Sequence, residues 1–155
     1  LQCGLTDSDA MRDHLLDSEI VKRTDHLLWV DMPNEKRYFE ERMKDGKSRF
    51  NQAELDSIRK ILIDLDKATE KAKQEGRMEQ HEKKSIGVIS FYRRLNVALS
   101  RARELLVIVS SVEMFTKKKK KKSSREMYGR LKTIVKQKEG FRNPEVIGQG
   151  SRIGV

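Results

Sequence analysis

Cysteine is nearly absent: Cys3 is the only one in the chain, so no intrachain disulfide can form and a disulfide-stapled scaffold is excluded. One cysteine beside six methionines fits a reducing, cytoplasmic setting. Long apolar runs are missing too. None approaches the ~20 residues that a membrane-spanning helix needs. The start, Leu1-Gln2-Cys3-Gly4-Leu5, lacks the basic-then-apolar layout of a secretory signal. No G-x-x-x-x-G-K-[ST] occurs, so the chain has no phosphate-cradling P-loop of its own. The glycine-rich tail Gly148-Gln149-Gly150-Ser151-Arg152-Ile153-Gly154 carries isoleucine where a dinucleotide fingerprint needs its third glycine. No H-E-x-x-H or cysteine cluster is present, and His14, His26 and His81 are too scattered for metal-ligand spacing.

What is present is charge. The 155 residues hold 34 Lys+Arg against 24 Asp+Glu, for a net charge of +10. Residues 1–84 carry 17 basic and 19 acidic side chains, a net −2, so residues 85–155 carry 17 and 5, a net +12. Six of those charges form one run, Lys117 to Lys122. A basic half of this kind points to a polyanion, nucleic acid or nucleotide, or else to a solvated surface that aids solubility.

Apolar residues recur in blocks between the charges. Met11, Leu15, Leu16 and Ile20 predict an amphipathic helix over 7–20. His26 to Met32, HLLWVDM, predicts a buried strand closed by Pro33-Asn34, and 34–50 predicts a loop. Leu55, Ile58, Leu62 and Leu65, extended by Ala68 and Ala72, predict a long helix. Asn51 and Glu54 stand at capping-box spacing at its start, and Gly76 is its stop. Ser85 to Phe91 and Glu104 to Ser110 predict two further strands. Their continuously apolar character is that of strands covered on both faces of a parallel sheet. Ser123 and Glu126 open a predicted helix carrying Met127, Leu131, Ile134 and Val135, before Gly140 and Pro144 break the pattern. Helix and buried strand alternate, which predicts an α/β layer fold. It divides into an N-terminal helical segment (1–24), a main domain (25–139) and a poorly ordered tail (140–155).

The segment Asn96-Val97-Ala98-Leu99-Ser100-Arg101-Ala102-Arg103 runs directly into the predicted strand 104–110. Two guanidinium groups are thereby held at the edge of a rigid sheet. Such groups fork onto phosphate oxygens and can stabilise charge on a transferring phosphoryl group. On spacing alone, two surface arginines in ordinary salt bridges remain the commoner case.

NVALSRARELLVIV resembles motif VI of superfamily 1 helicases, in which V-A-[LV]-[ST]-R-A-[RK] precedes a strand. SIGVISFYRR, residues 85–94, resembles motif IV, and Ser48, Asn51 and Glu54 resemble the S-x-x-N-x-x-E stretch that opens the preceding helix. The matches follow the family's order, and the branch is 1B. The resemblance spans residues 25–138 and implies the second, C-terminal RecA-like domain, a three-layer α/β fold with a mainly parallel sheet. It implies Arg101 as the arginine that meets the γ-phosphate of ATP and Arg103 as its support. Ser90 and Tyr92 fall at motif IV positions beside the nucleic-acid track. For Asn51 and Glu54 helix capping explains the pattern as well as a functional role does. ATP and Mg²⁺ would be held mainly by a first RecA-like domain, so these 155 residues alone are expected to hydrolyse no ATP. The implied partners are that first domain and DNA or RNA, with no membrane. Phe91 replaces the usual proline of motif IV. Motif V has no counterpart, because motif VI begins at once at Leu95; the join reads as a segment missing between Arg94 and Leu95. A non-catalytic nucleic-acid-binding module derived from a helicase is the competing expectation, and an interaction domain with a merely solvating lysine run is a weaker third.

Overall fold

A computed structural model describes residues 13–36, 39–42, 44, 46, 49–87, 102, 104–113, 122–145 and 147. Strand β1 is Leu27–Asp31. A two-residue antiparallel ladder follows, β2 (Glu41–Arg42) with β3 (Arg49–Phe50), where the sequence predicts only a loop. Helix α1 spans Gln52–Gln74, β4 Leu106–Ser110, α2 Lys122–Gln137 and β5 Phe141–Arg142. The main sheet has the order β4-β1-β5, and both pairings are parallel. The fold is mixed α/β.

β1 is the central strand, and side-chain alternation sorts its residues between the two faces. Leu28, Val30 and Met32 join Ile61, Leu65 and Ala68 of α1 in one core cluster. Trp29 joins Ile108, Val112, Tyr128 and Val135 in the other, on the α2 side. Leu28, Trp29 and Val30 are all 0% exposed, which explains why this strand reads as a continuous apolar run.

Helix α1 starts where its cap predicts. Asn51 has extended backbone, and its side-chain oxygen accepts the Glu54 amide at 3.2 Å. It ends at Gln74, and Gly76, just past the Glu75 cap, takes the left-handed conformation at φ +68° that the predicted stop calls for. The second half of the predicted stripe, Leu65, Ala68 and Ala72, is buried, but in the first half Ser57 and Ile61 take the buried positions, whereas Leu55 is 50% exposed and Ile58 and Leu62 are half-buried.

Residues 13–20 are irregular rather than helical. Polar side chains capture the amides that a helix would need. Asp13 accepts the Leu15 amide at 2.7 Å, and the Ser18 hydroxyl accepts those of Ile20 and Val21 at 3.2 and 3.0 Å. Leu15 stands at φ +65°, a left-handed conformation that costs a non-glycine residue ~1–2 kcal/mol. The Arg77 guanidinium secures it by donating to the Leu15 carbonyl. Leu16, Ile20 and Val21 then fill the α1-side core without a helix. Residues 7–12 lie outside the described set.

Three more expectations change. Ser85, Ile86 and Gly87 are exposed and irregular rather than the start of a buried strand; Val88–Phe91 lie outside the described residues. Helix α2 opens at Lys122, so Ser123 sits inside its first turn rather than at its cap. Residues after 140 belong to the fold: β5 pairs with β1 at Trp29↔Phe141, and Ile147 is 6% exposed in the core. A side chain at Gly140 would place its Cβ 2.3 Å from the Leu27 carbonyl oxygen, so this close approach of α2's exit to β1 requires glycine. No helix among the described residues is long and apolar enough to cross a membrane.

Candidate functional site

The chain enters β4 from the arginine-bearing segment, and that entry is pinned. The Leu106 amide donates to the His26 carbonyl at 3.0 Å. The His26 ring answers from the other direction: Nδ1 lies 2.9 Å from the Glu104 carbonyl, which only accepts, so Nδ1–H is the donor. The Glu104 carboxylate takes Lys84 Nζ at 3.0 Å, with the two side chains only 27% and 15% exposed. Glu82 supplies a second carboxylate to Lys84 at 3.6 Å. Such shielding strengthens the attraction within the pair while desolvation offsets it, so the pair fixes geometry more than it adds stability.

His26 is itself held from behind. Its ring meets that of His14 edge-on, with centroids 6.0 Å apart at 73°. His14 is 1% exposed and fully bonded: Nδ1 accepts the Leu16 amide at 3.1 Å, so Nε2 carries the proton and donates to the Asp25 carbonyl at 2.8 Å. Arg142 donates from Nη2 to the Asp25 carboxylate at 2.8 Å and from Nε to the Ile20 carbonyl at 3.0 Å. The amino ends of β1 and β4 thus form one bonded unit. Ala102, two residues before Glu104, is half-buried.

The carboxyl ends of the same strands are built differently. β1 leads to α1 on one face and β4 to α2 on the other, so the outgoing connections part between them. In open parallel sheets such a point is where ligands bind. Asp31 accepts the Val112 amide at 2.8 Å, and the Trp29 indole N–H donates to the Ser110 carbonyl at 3.0 Å. The Ser110 hydroxyl is buried with no hydrogen-bond partner among the described residues. An unmet buried hydroxyl costs ~1–3 kcal/mol.

Of the residues singled out by sequence, Arg101, Arg103, Ser90, Tyr92 and Ser48 lie outside the described residues, as does the join between Arg94 and Leu95. Lys117 to Lys121 lie outside them too, and Lys122 is the first residue of α2. Asn51 and Glu54 are brought together at the α1 cap. There burial, with the Glu40 carboxylate adding to it, pushes the Glu54 carboxyl up to about 6. Among the described residues no cluster of three His, Cys, Asp or Glu could hold a metal ion.

Sequence reasoning did not find the His26, Lys84 and Arg142 anchors. The one available signal was position: His26 immediately precedes the apolar run of β1, and Arg142 follows the glycine that brings α2 back to the sheet. Comparison with family models, with curated proteins and with solved structures finds no match to this chain.

Proposed function

We propose that this chain is the second RecA-like domain of a superfamily 1B helicase or translocase. What supports the proposal is the N-V-A-L-S-R-A-R segment, which feeds into β4, a strand paired in parallel with the central strand and anchored at Glu104. Arg103 is one residue and Arg101 three residues from that anchor. A preorganised guanidinium meets developing negative charge without reorganising, which is where electrostatic catalysis gains most.

In the proposed reaction, water attacks the γ-phosphorus of ATP, the bond to the ADP oxygen breaks, and phosphate leaves. Arg101 neutralises charge on the transferring group and Arg103 supports it. A first RecA-like domain holds ATP and Mg²⁺, and Ser90 and Tyr92 border the nucleic-acid track. The test joins this chain to a P-loop-bearing first domain and measures ATP hydrolysis with nucleic acid present. Arg101→Ala is expected to lower turnover ~10³–10⁵-fold with nucleic-acid binding retained. Turnover unchanged by that substitution would refute the assignment.

The +12 charge of residues 85–155 also favours a second reading, a nucleic-acid-binding module without catalysis. Its mark is affinity that falls steeply with salt in the isolated chain and does not respond to ATP when a first domain is supplied.

A further inference from the structure

The two long helices carry the same number of cations and treat them differently. Helix α1 holds five basic and five acidic residues. Its exposed Lys71 pairs with Glu75 at 3.9 Å, and Lys73 pairs with Glu70 at 3.2 Å. Helix α2 also holds five basic residues, but Glu126 is its one acid. Lys132 and Lys136 are exposed on it, one turn apart, and among the described residues no carboxylate pairs with either. Like charges at this spacing weaken an isolated helix, so their placement does not serve the stability of α2.

Gly129 stands on the same flank, three residues before Lys132 and seven before Lys136. Glycine inside a helix weakens it relative to alanine. A Cβ at Gly129 would meet nothing within 4 Å, so no close approach within the fold requires glycine there. The neighbouring Thr133 turns its hydroxyl back onto the Gly129 carbonyl at 3.1 Å. The flank is therefore a low floor of Gly129 and Thr133 beside two ammonium groups without counter-charge. Tyr128 and Val135 pack the opposite side of α2 into the core, which leaves this flank to solvent.

We propose that this flank of α2 is a docking surface for the phosphate backbone of a nucleic-acid duplex. Three observations select that partner. Lys132 and Lys136 lie ~6 Å apart along the helix axis, close to two steps of one duplex strand at ~3.4 Å each. Single strands are held largely by stacking on aromatic side chains, and Tyr128, the only aromatic of α2, is buried at 6% exposure. Protein interfaces, for their part, are depleted of lysine. The glycine floor lets a phosphate approach the helix closely. Contacts of this kind position a duplex without reading its sequence. For the class of partner this surface rests on the nucleic-acid reading above; it lies apart in sequence from Ser90 and Tyr92 and involves no ATP.

Binding of the whole chain to a DNA duplex and to a single strand of the same length, between ~50 and ~200 mM salt, tests it. The parent protein should bind the duplex at least as tightly as the single strand, with affinity that falls as salt rises. Lys132→Ala combined with Lys136→Ala should weaken duplex binding about tenfold and make the log–log salt slope shallower by about 2, one unit for each lost phosphate contact. Gly129→Glu should weaken binding as much with a melting temperature no lower than the parent's, because the position is open and glutamate is a good helix former. Lys60→Ala combined with Lys71→Ala, two exposed lysines of α1, should leave the slope as it is. If the parent binds and the Lys132 and Lys136 substitutions leave its slope unchanged, the α2 surface is refuted and the nucleic-acid reading stands. Absence of binding by the parent overturns both. Preference for the single strand, or equally effective displacement of the duplex by poly-glutamate, would overturn the duplex as the partner.

Discussion

The two faces of the sheet are built on different plans. The α2 face is bulky and sequence-local: Ile108, Val112, Tyr128 and Val135 come from the continuous β4–α2 stretch and close over Trp29, with Phe141 of β5 at 6.2 Å from the indole. The α1 face is aliphatic and assembled from distant pieces. Leu28 and Val30 meet Ile61 and Leu65 of α1, but also Leu16, Ile20 and Val21 from the irregular N-terminal segment and Ile147 from beyond β5. Among the described residues, one face is therefore closed by a single helix. The other depends on a loop held by polar side chains, and its helix retains apolar surface that the described strands do not use.

Three measurements sharpen that contrast. Trp29→Ala removes the largest fully buried side chain on the α2 face together with its bond to Ser110. Urea unfolding should register a loss of ~3–5 kcal/mol, and a loss below about 1 would mean that this face is not packed as described. Gly140→Ala comes next. Its Cβ would meet the Leu27 carbonyl, so backbone must shift, at an expected ~1–3 kcal/mol, again by urea unfolding.

The smallest effect is on the α1 side and depends on pH. The folded protein raises the Glu54 carboxyl from 4.5 to about 6, so the fold holds this proton more tightly than the unfolded chain does. Its contribution is full below pH ~4.5 and is lost as pH rises through ~6; because the carboxyl is partly exposed and solvent screens it, it amounts to well under ~2 kcal/mol. Asp64, raised by burial, acts with the same sign. Asp13 acts with the opposite sign but below this window, because the Arg23 hydrogen bond holds its carboxyl down at about 2. Thermal melts of Glu54→Gln between pH 4.5 and 7 should therefore show a shallower decline than the parent protein, and an equal slope would remove Glu54 as its source.

β1 and β4 were legible in the sequence because each is apolar on both faces, and the α1 start was legible because Asn51 caps it. The second half of the α1 stripe was legible too, at Leu65, Ala68 and Ala72; the phase of its first half was not, because Leu55, Ile58 and Leu62 look the same in sequence as the buried Ile61. Residues 13–20 carry helical spacing, yet Asp13 and Ser18 divert their amides. β5 has two residues, too few for a pattern, and is placed by the close approach at Gly140. For the candidate site, the arginine segment was legible as a motif. Its anchorage was not, because the bonds among His26, Lys84 and Glu104 join residues far apart in the chain.

Trp29 is the only tryptophan in the chain. It is fully enclosed, and its indole N–H bonds to the carbonyl at the end of β4. The protein thus carries its own optical reporter at the seam between β1 and β4. Its emission should lie to the blue in the native state and move to the red as the seam opens, with no label and no competing indole to subtract.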